Sequence, residues 1–249
     1  MPLLQQQILL GRCLLATDPE AVIATAPTAV LARPAEVARL QELIHGDGFQ
    51  FTRAIHRSWC VARAAGAVRM TLSVLAPEQR RRLLDDWVEA GGGNALDVTT
   101  EAAGFLDVVA QHLPDPSHAL SICRMEQAAY RASAAAACFT PPNPTALNNP
   151  WTMLRRGSDA ALVRFLAEPR RVFEALAAGE PLPPFEGSFP YLFAPGLATL
   201  RRPATPDETA LWDRLLMPTR LGVLGDNAVS ASLIGELLAV GAITLAQPS

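Results

Sequence analysis

Lysine does not occur in this chain of 249 residues; all 21 basic side chains are arginine. Arginine holds its charge and presents a planar fork to carboxylates, although the coding bias of a GC-rich genome accounts for the choice most simply. Charge of either sign is scarce, at 18% of residues. The net charge of −3 and pI near 5.8 argue against a partner gathered by bulk electrostatics, such as generic DNA, while leaving room for a local basic groove. Cysteine is rare too. Cys13, Cys60, Cys123 and Cys138 form no CxxC pair, which suits reduced, mostly buried thiols. The most apolar late stretch, Val229 to Ala246, is interrupted by Glu236 and Gly241 and is too short for a comfortable bilayer span. The segment from Met1 to Gln7 lacks a basic region followed by an apolar core and a small-residue cleavage site. A soluble, cytoplasmic protein with no membrane partner is expected.

Catalytic signatures are missing as well. There is no GxSxG elbow, no HExxH, and no Walker or dinucleotide glycine pattern. Gly91-Gly92-Gly93 follows a helical pattern rather than a strand, so it does not read as a phosphate cradle. What is present is apolar matter, half of all residues, enough to fold one large domain or two smaller ones without a structural metal or disulfide.

Residues 1–140 read as an all-helical domain. Pro34 opens a helix with Val37, Leu40 and Leu43 on one stripe, and a longer segment from Phe49 to Leu75 is bent or broken near Gly66. Pro77 starts another, ended by the three glycines. Thr100 is the expected cap of the next, Pro114-Asp115-Pro116 stops it, and Ser117 caps a helix running to about Phe139. That last helix, rich in alanine at 132 and 134–137, is expected at the centre of the bundle because small side chains allow close approach.

Residues 141–150 hold four prolines and three asparagines, which neither a helix nor a central strand should cross, so they are read as a linker. Residues 151–249 mix both periods. Ala161 to Phe165 predicts a strand with Leu162 and Arg164 on one face and Val163 and Phe165 on the other. Pro169 to Gly179 predicts a helix, and Tyr191 to Phe193 and Leu197 to Arg202 two strands around Pro195-Gly196. Thr205-Pro206-Asp207-Glu208 has the form of a capping box, Gly225-Asp226-Asn227 marks a break, and Ser230 caps a helix closed by Gly241 before a final strand at 242–245. The order suggests a winged-helix-like domain, one small sheet against helices, and an α+β protein as a whole.

Several side-chain groupings merit weighing. His56 and Cys60, four apart, could share a metal, but nothing repeats the pair, and a solvated His beside a buried Cys is the simpler reading. Arg53, His56, Arg57 and Arg63 share one helical sector and form a basic stripe suited to carboxylates or phosphate, or simply a solvated face. Arg124 and Arg131 belong to a polar seam on the Ala-rich helix that must be paired internally or meet a partner. These six are the partner-interface candidates. An edge strand in the second half invites strand addition by a peptide, with Val163, Arg164, Phe165, Tyr191 and Phe193 as the peptide-binding candidates, against an ordinary core role for each. No residue is assigned as catalytic or as a metal ligand. A DNA-binding regulator is the alternative, yet its recognition helix, Ser230 to Val240, has no Arg and one Glu, poor chemistry for phosphates, so no nucleic acid is expected.

Three stretches together carry a resemblance: Phe51 to Cys60; the run from Leu113-Pro114-Asp115-Pro116 to Arg124-Met125-Glu126-Gln127; and Ala161 to Phe165 followed by Leu182-Pro183-Pro184 and Ala194-Pro195-Gly196. The combination resembles the partner proteins encoded beside multinuclear non-heme iron peptide-modifying enzymes. Among these it resembles the methanobactin-biosynthesis C (MbnC-like) proteins, and after them the corresponding subunit of the thiaglutamate pathway. That resemblance implies a heterodimer with a TIM-barrel multinuclear iron enzyme (MbnB-like). The iron would sit in that partner, with no cofactor on this chain. The complex would act on a cysteine of a ribosomally made precursor peptide (MbnA-like), giving an oxazolone with a neighbouring thioamide. This chain would bind the precursor's leader and complete the active site without being catalytic alone.

Overall fold

The computed structural model describes residues 3–27, 34–93, 97–225 and 230–246. The protein is α+β and divides into two compact units, Met1–Val109 and Ala110–Ser249. The predicted break at 225–227 lies outside the described residues beyond Gly225.

Among its described residues the first unit is all helix. It comprises α1 (Leu3–Leu15), α2 (Pro19–Ala24), α3 (Pro34–His45), α4 (Asp47–Ala67), α5 (Arg69–Ser73), α6 (Pro77–Glu89) and α7 (Val98–Gln111), whose last two residues fall past the division. α1 packs on α2, α4 and α6, and α3 packs on α2 and α4. The break foreseen near Gly66 falls at Val68, which separates α4 from α5. α6 ends where Gly91 and Gly93 take φ of +94° and +86°, a region that L side chains seldom adopt. Gly93 is needed twice over: a Cβ there would lie 2.3 Å from the Cβ of Cys60. The Gly93 N–H is held by the buried carboxylate of Glu101, which also accepts from Trp87 Nε1 at 2.7 Å. Asp97, not Thr100, caps α7: its side chain accepts from both the backbone N–H and the hydroxyl of Thr100 at 2.7 Å. An ionised carboxylate is the stronger acceptor for an orphan first-turn amide.

The second unit begins with α8 (His118–Ala136), capped by Ser117 as the sequence predicts. A 3-10 turn (Pro144–Asn148) leads to β1 (Met153–Arg156), β2 (Ala161–Phe165), α9 (Pro169–Ala178), β3 (Phe189–Phe193) and β4 (Arg201–Pro203). Then come α10 (Pro206–Arg214), β5 (Thr219–Arg220), α11 (Leu221–Gly225), α12 (Ala231–Ala239) and β6 (Ile243–Leu245). The single sheet of the sequence expectation is two antiparallel sheets of three strands, in the orders β5-β1-β6 and β2-β3-β4. β1 pairs only with strands far along the chain, which local patterning cannot announce.

The two units part at 109/110, ahead of the Pro- and Asn-rich stretch at 141–150. The reason is α8. It packs against β2 and β3 instead of lying at the centre of a helical bundle, with Ala132 buried but Ala134 and Ala137 exposed, and so belongs to the second unit. One face of β2-β3-β4, with Leu162 and Leu192, meets a core that includes Leu211, Trp212, Ile234 and Leu237. Burying each such side chain contributes roughly 1.5–3 kcal/mol. The other face carries Val163 and Phe165, as period two requires.

Candidate functional site

On that other face the register sets Val163 beside Tyr191 and Pro203, and Ala161 beside Phe193 and Arg201. Val163, Phe165 and Phe193 are buried; Tyr191 is half-buried. α9 lies alongside because Glu168 and Pro169 start it immediately after β2. The Glu168 carboxylate accepts from the Arg170 and Arg171 amides, and Gly179 closes the helix at φ +69°. Phe165 packs edge-on against Phe173 of α9 and Tyr191 of β3, each ring centre 5.8 Å away. Between α9 and the sheet runs a groove of about 770 Å³, floored by Phe165, Tyr191 and Phe193 and walled by Pro169, Phe173 and Ala177. Met125 of α8, Thr199 and Pro203 also line it.

Charge around this groove is arranged unevenly. Arg170 pairs with Glu174 on the α9 side at 2.8 Å. Arg202 is joined to the buried Glu208. Arg201 has neither: its contacts are the Met125 Sδ at 3.7 Å and the face of Phe173, 5.8 Å from the ring centre, and no described carboxylate pairs with it. The groove is thus an aromatic trough with a free guanidinium on the β4 side, a shape and charge suited to a short extended chain.

Comparison with known proteins finds no family model and no curated protein that matches this chain. The assignment therefore rests on where the side chains stand.

Of the five peptide-binding candidates, the structure gathers Phe165, Tyr191 and Phe193 at the groove. Val163 lies on the same face, buried as Phe165 and Phe193 are, and does not line the groove. Arg164 points to the opposite face and grips Asp213 through one nitrogen at 2.7 and 2.8 Å. The sheet edges are less open than a bare edge strand. Ala204 and Ala194 donate to the carbonyls of Pro190 and Leu200, so even-numbered residues of β3 face β4 and odd-numbered ones face β2. Leu162 and Arg164 therefore turn their main-chain groups outward. Ser121 of α8 donates to the Arg164 carbonyl at 2.8 Å, so this edge is partly covered. At the β4 edge Pro203 has no N–H, and the Arg201 carbonyl accepts from the Thr199 hydroxyl at 2.7 Å.

The partner-interface candidates have other employment. Arg53 donates to the carbonyls of Ala16 and Thr17, and Arg57 to that of Leu15 and to Asp85, at 2.7 Å for the carboxylate. Both satisfy orphan carbonyls at the end of α1. Burial, and then the neighbouring Arg57 charge, pull the pKa of Arg53 below its ordinary value. Arg63 lies over Trp59, 4.6 Å from its ring centre, and His56 stacks on the same ring from 6.4 Å. Arg124 pairs with Asp115 at 3.3 Å, and Arg131 is exposed on α8. With Arg53 and Arg57 turned inward, α4 presents Phe51, Ile55 and Trp59 to solvent, each more than half exposed. His56 Nε2 lies 3.8 Å from Cys60 Sγ, and among the described residues no three His, Cys, Asp or Glu side chains converge to hold a metal. Among the described residues no helix is long and apolar enough to cross a membrane.

Sequence reasoning missed Phe173, Met125 and Arg201. Phe173 was visible as an aromatic in a predicted helix, but its facing partner was not; Arg201 stands next to a second arginine and takes its role only from the register.

Proposed function

We propose that this chain is the non-catalytic, precursor-binding partner subunit of an iron-dependent peptide-modifying complex, working in the cytoplasm. Its winged-helix-like second unit holds the leader segment of a ribosomally made peptide. The observation that supports this reading is the groove of about 770 Å³ between α9 and β2-β3-β4, lined by Phe165, Tyr191 and Phe193. A trough of rigid aromatic side chains binds extended peptide with little ordering cost. The exposed Phe51, Ile55 and Trp59 of α4 offer an apolar face for the iron-holding TIM-barrel chain. In this division of labour the iron ions and the oxidation of the peptide's cysteine to an oxazolone and thioamide belong to the MbnB-like partner, and this chain orders its MbnA-like substrate.

Co-expression with an MbnB-like iron enzyme and a short cysteine-containing precursor encoded beside this chain, if its locus carries them, tests the proposal. A stable heterodimer should copurify, with iron in the complex and less than a stoichiometric amount on this chain alone. Iron in full complement on the isolated chain, or no complex with the enzyme and precursor, would refute the division.

A further inference from the structure

Resting on the peptide-binding reading of the groove, we infer that the bound segment is recognised through an acidic side chain, one that forks onto Arg201 while an apolar neighbour occupies the aromatic trough. Three arginines border the groove, and two are already neutralised, Arg170 by Glu174 and Arg202 by Glu208. Arg201 is held only by soft, uncharged partners, the Met125 sulfur and the Phe173 ring. A guanidinium laid against an aromatic face keeps its in-plane N–H donors directed outward for a planar acceptor. The same contacts keep water from one side of it, which strengthens its attraction for a carboxylate over that of a fully solvated arginine.

The groove also has a direction. The Arg170–Glu174 pair on the α9 side has no net charge to offer, and the positive charge that is not paired, Arg201, stands on the β4 side. Because Arg201 is in register with Phe193, one same-face pair along from Tyr191, a carboxylate at Arg201 brings an adjacent apolar side chain to the half-buried rings of Tyr191 and Phe173. The recognised motif is therefore an apolar or aromatic residue close to an internal Asp or Glu. A lysine or arginine at the acid's position is excluded by charge.

The test uses the full chain and fluorescein-labelled, C-terminally amidated 12-residue probes read by anisotropy. Each probe carries one Phe and, one to three residues away, Asp, Asn or Lys; amidation removes the terminal carboxylate as a competing source. For at least one spacing the Asp probe should bind about tenfold or more tighter than its Asn counterpart, and the Lys probe weakest. In Arg201→Gln, which removes the charge, that preference should fall to about unity. Tyr191→Ser should weaken all probes together. Equal binding of Asp and Asn probes at every spacing, or a preference that survives Arg201→Gln, overturns the acid motif and leaves the peptide groove standing. Absence of binding by every probe overturns both. The iron-complex test is independent of these outcomes.

Discussion

Replacing Glu208 by glutamine should remove about 2 kcal/mol of stability at neutral pH, and nearly none of it in acid. The buried carboxylate receives Arg202 Nη1 at 2.7 Å, Arg202 Nη2, and the Thr205 amide at 2.8 Å, while the Thr205 hydroxyl answers the Glu208 N–H. Glutamine can still serve the capping box through its amide oxygen. It cannot accept both guanidinium bonds, each charge-assisted and worth about 1.5–3 kcal/mol where fully shielded. Arg202 is 36% exposed, so water recovers part of that loss and the net falls to about 2 kcal/mol. Burial pushes the Glu208 carboxyl upward, but the bonds from Arg202 and Thr205 outweigh it and hold it below its ordinary 4.5. With the folded value depressed, the stabilisation is complete above about pH 4.5 and disappears as pH falls through the folded value. Urea unfolding of the intact chain, followed by far-ultraviolet circular dichroism, reads this directly. With a slope of about 2 kcal/mol per molar, the midpoint should drop by about 1 M at pH 7. The deficit should shrink steadily as pH is lowered below about 4.5. A variant within about 0.5 kcal/mol of the parent at pH 7, or an undiminished deficit in acid, would refute the account.

Gly93→Ala should lower the melting temperature of the first unit sharply, because the new Cβ meets Cys60 at 2.3 Å and φ is +86°; overpacking and backbone strain together cost about 2–4 kcal/mol. Gly91→Ala, at φ +94° with nothing within 4 Å, should cost only the strain, about 1–2 kcal/mol, and equal melting temperatures for the two variants would discount the contact with Cys60. Arg57→Ala should accelerate hydrogen exchange in the last turns of α1 by about tenfold or more, since it frees the Leu15 carbonyl and Asp85, whereas Phe51→Ser on the outer face of α4 should leave those amides unchanged. The reverse ranking would mean that α4 is packed the other way round.

Features governed by a few neighbouring residues were legible in the sequence. Ser117 before α8, the Thr205-to-Glu208 capping box, and Pro169 and Gly179 bracketing α9 all follow from main-chain valence at helix ends, so the residue type alone marks them. The two faces of β2 followed from period two, which is why Phe165, Tyr191 and Phe193 could be grouped before their register was known. Features set by distant contacts were not legible. Met153-Leu154-Arg155-Arg156 has no alternation of its own and is a strand because Thr219, Thr244 and their neighbours pair with it. The proline-rich stretch does disrupt regular structure, but the division between units depends on what α8 touches. The groove needed Phe173 and Arg201, whose positions are fixed by how α9 and β4 meet β3.

The arginines show most clearly why residue type underdetermines role. A compositional bias toward arginine predicts nothing about site, and the helical spacing of Arg53, Arg57 and Arg63 fits a solvated stripe, a phosphate cradle or an interface equally well. What separates them is the acceptor each fork reaches. Arg53 and Arg57 close the end of α1, Arg156 binds the Trp212 carbonyl near the end of α10 at 2.7 and 2.9 Å, and Arg164 and Arg202 hold carboxylates. Each is an internal brace, and each removes a positive charge from what the surface can offer a partner. The inward turn of two arginines is also what leaves Phe51, Ile55 and Trp59 outside, since a helix carries its residues at fixed angles and cannot bury both sectors on one side. The apolar face of α4 is therefore a consequence of internal demands on Arg53 and Arg57, whereas Arg201, with no described carboxylate beside it, keeps its charge at the groove.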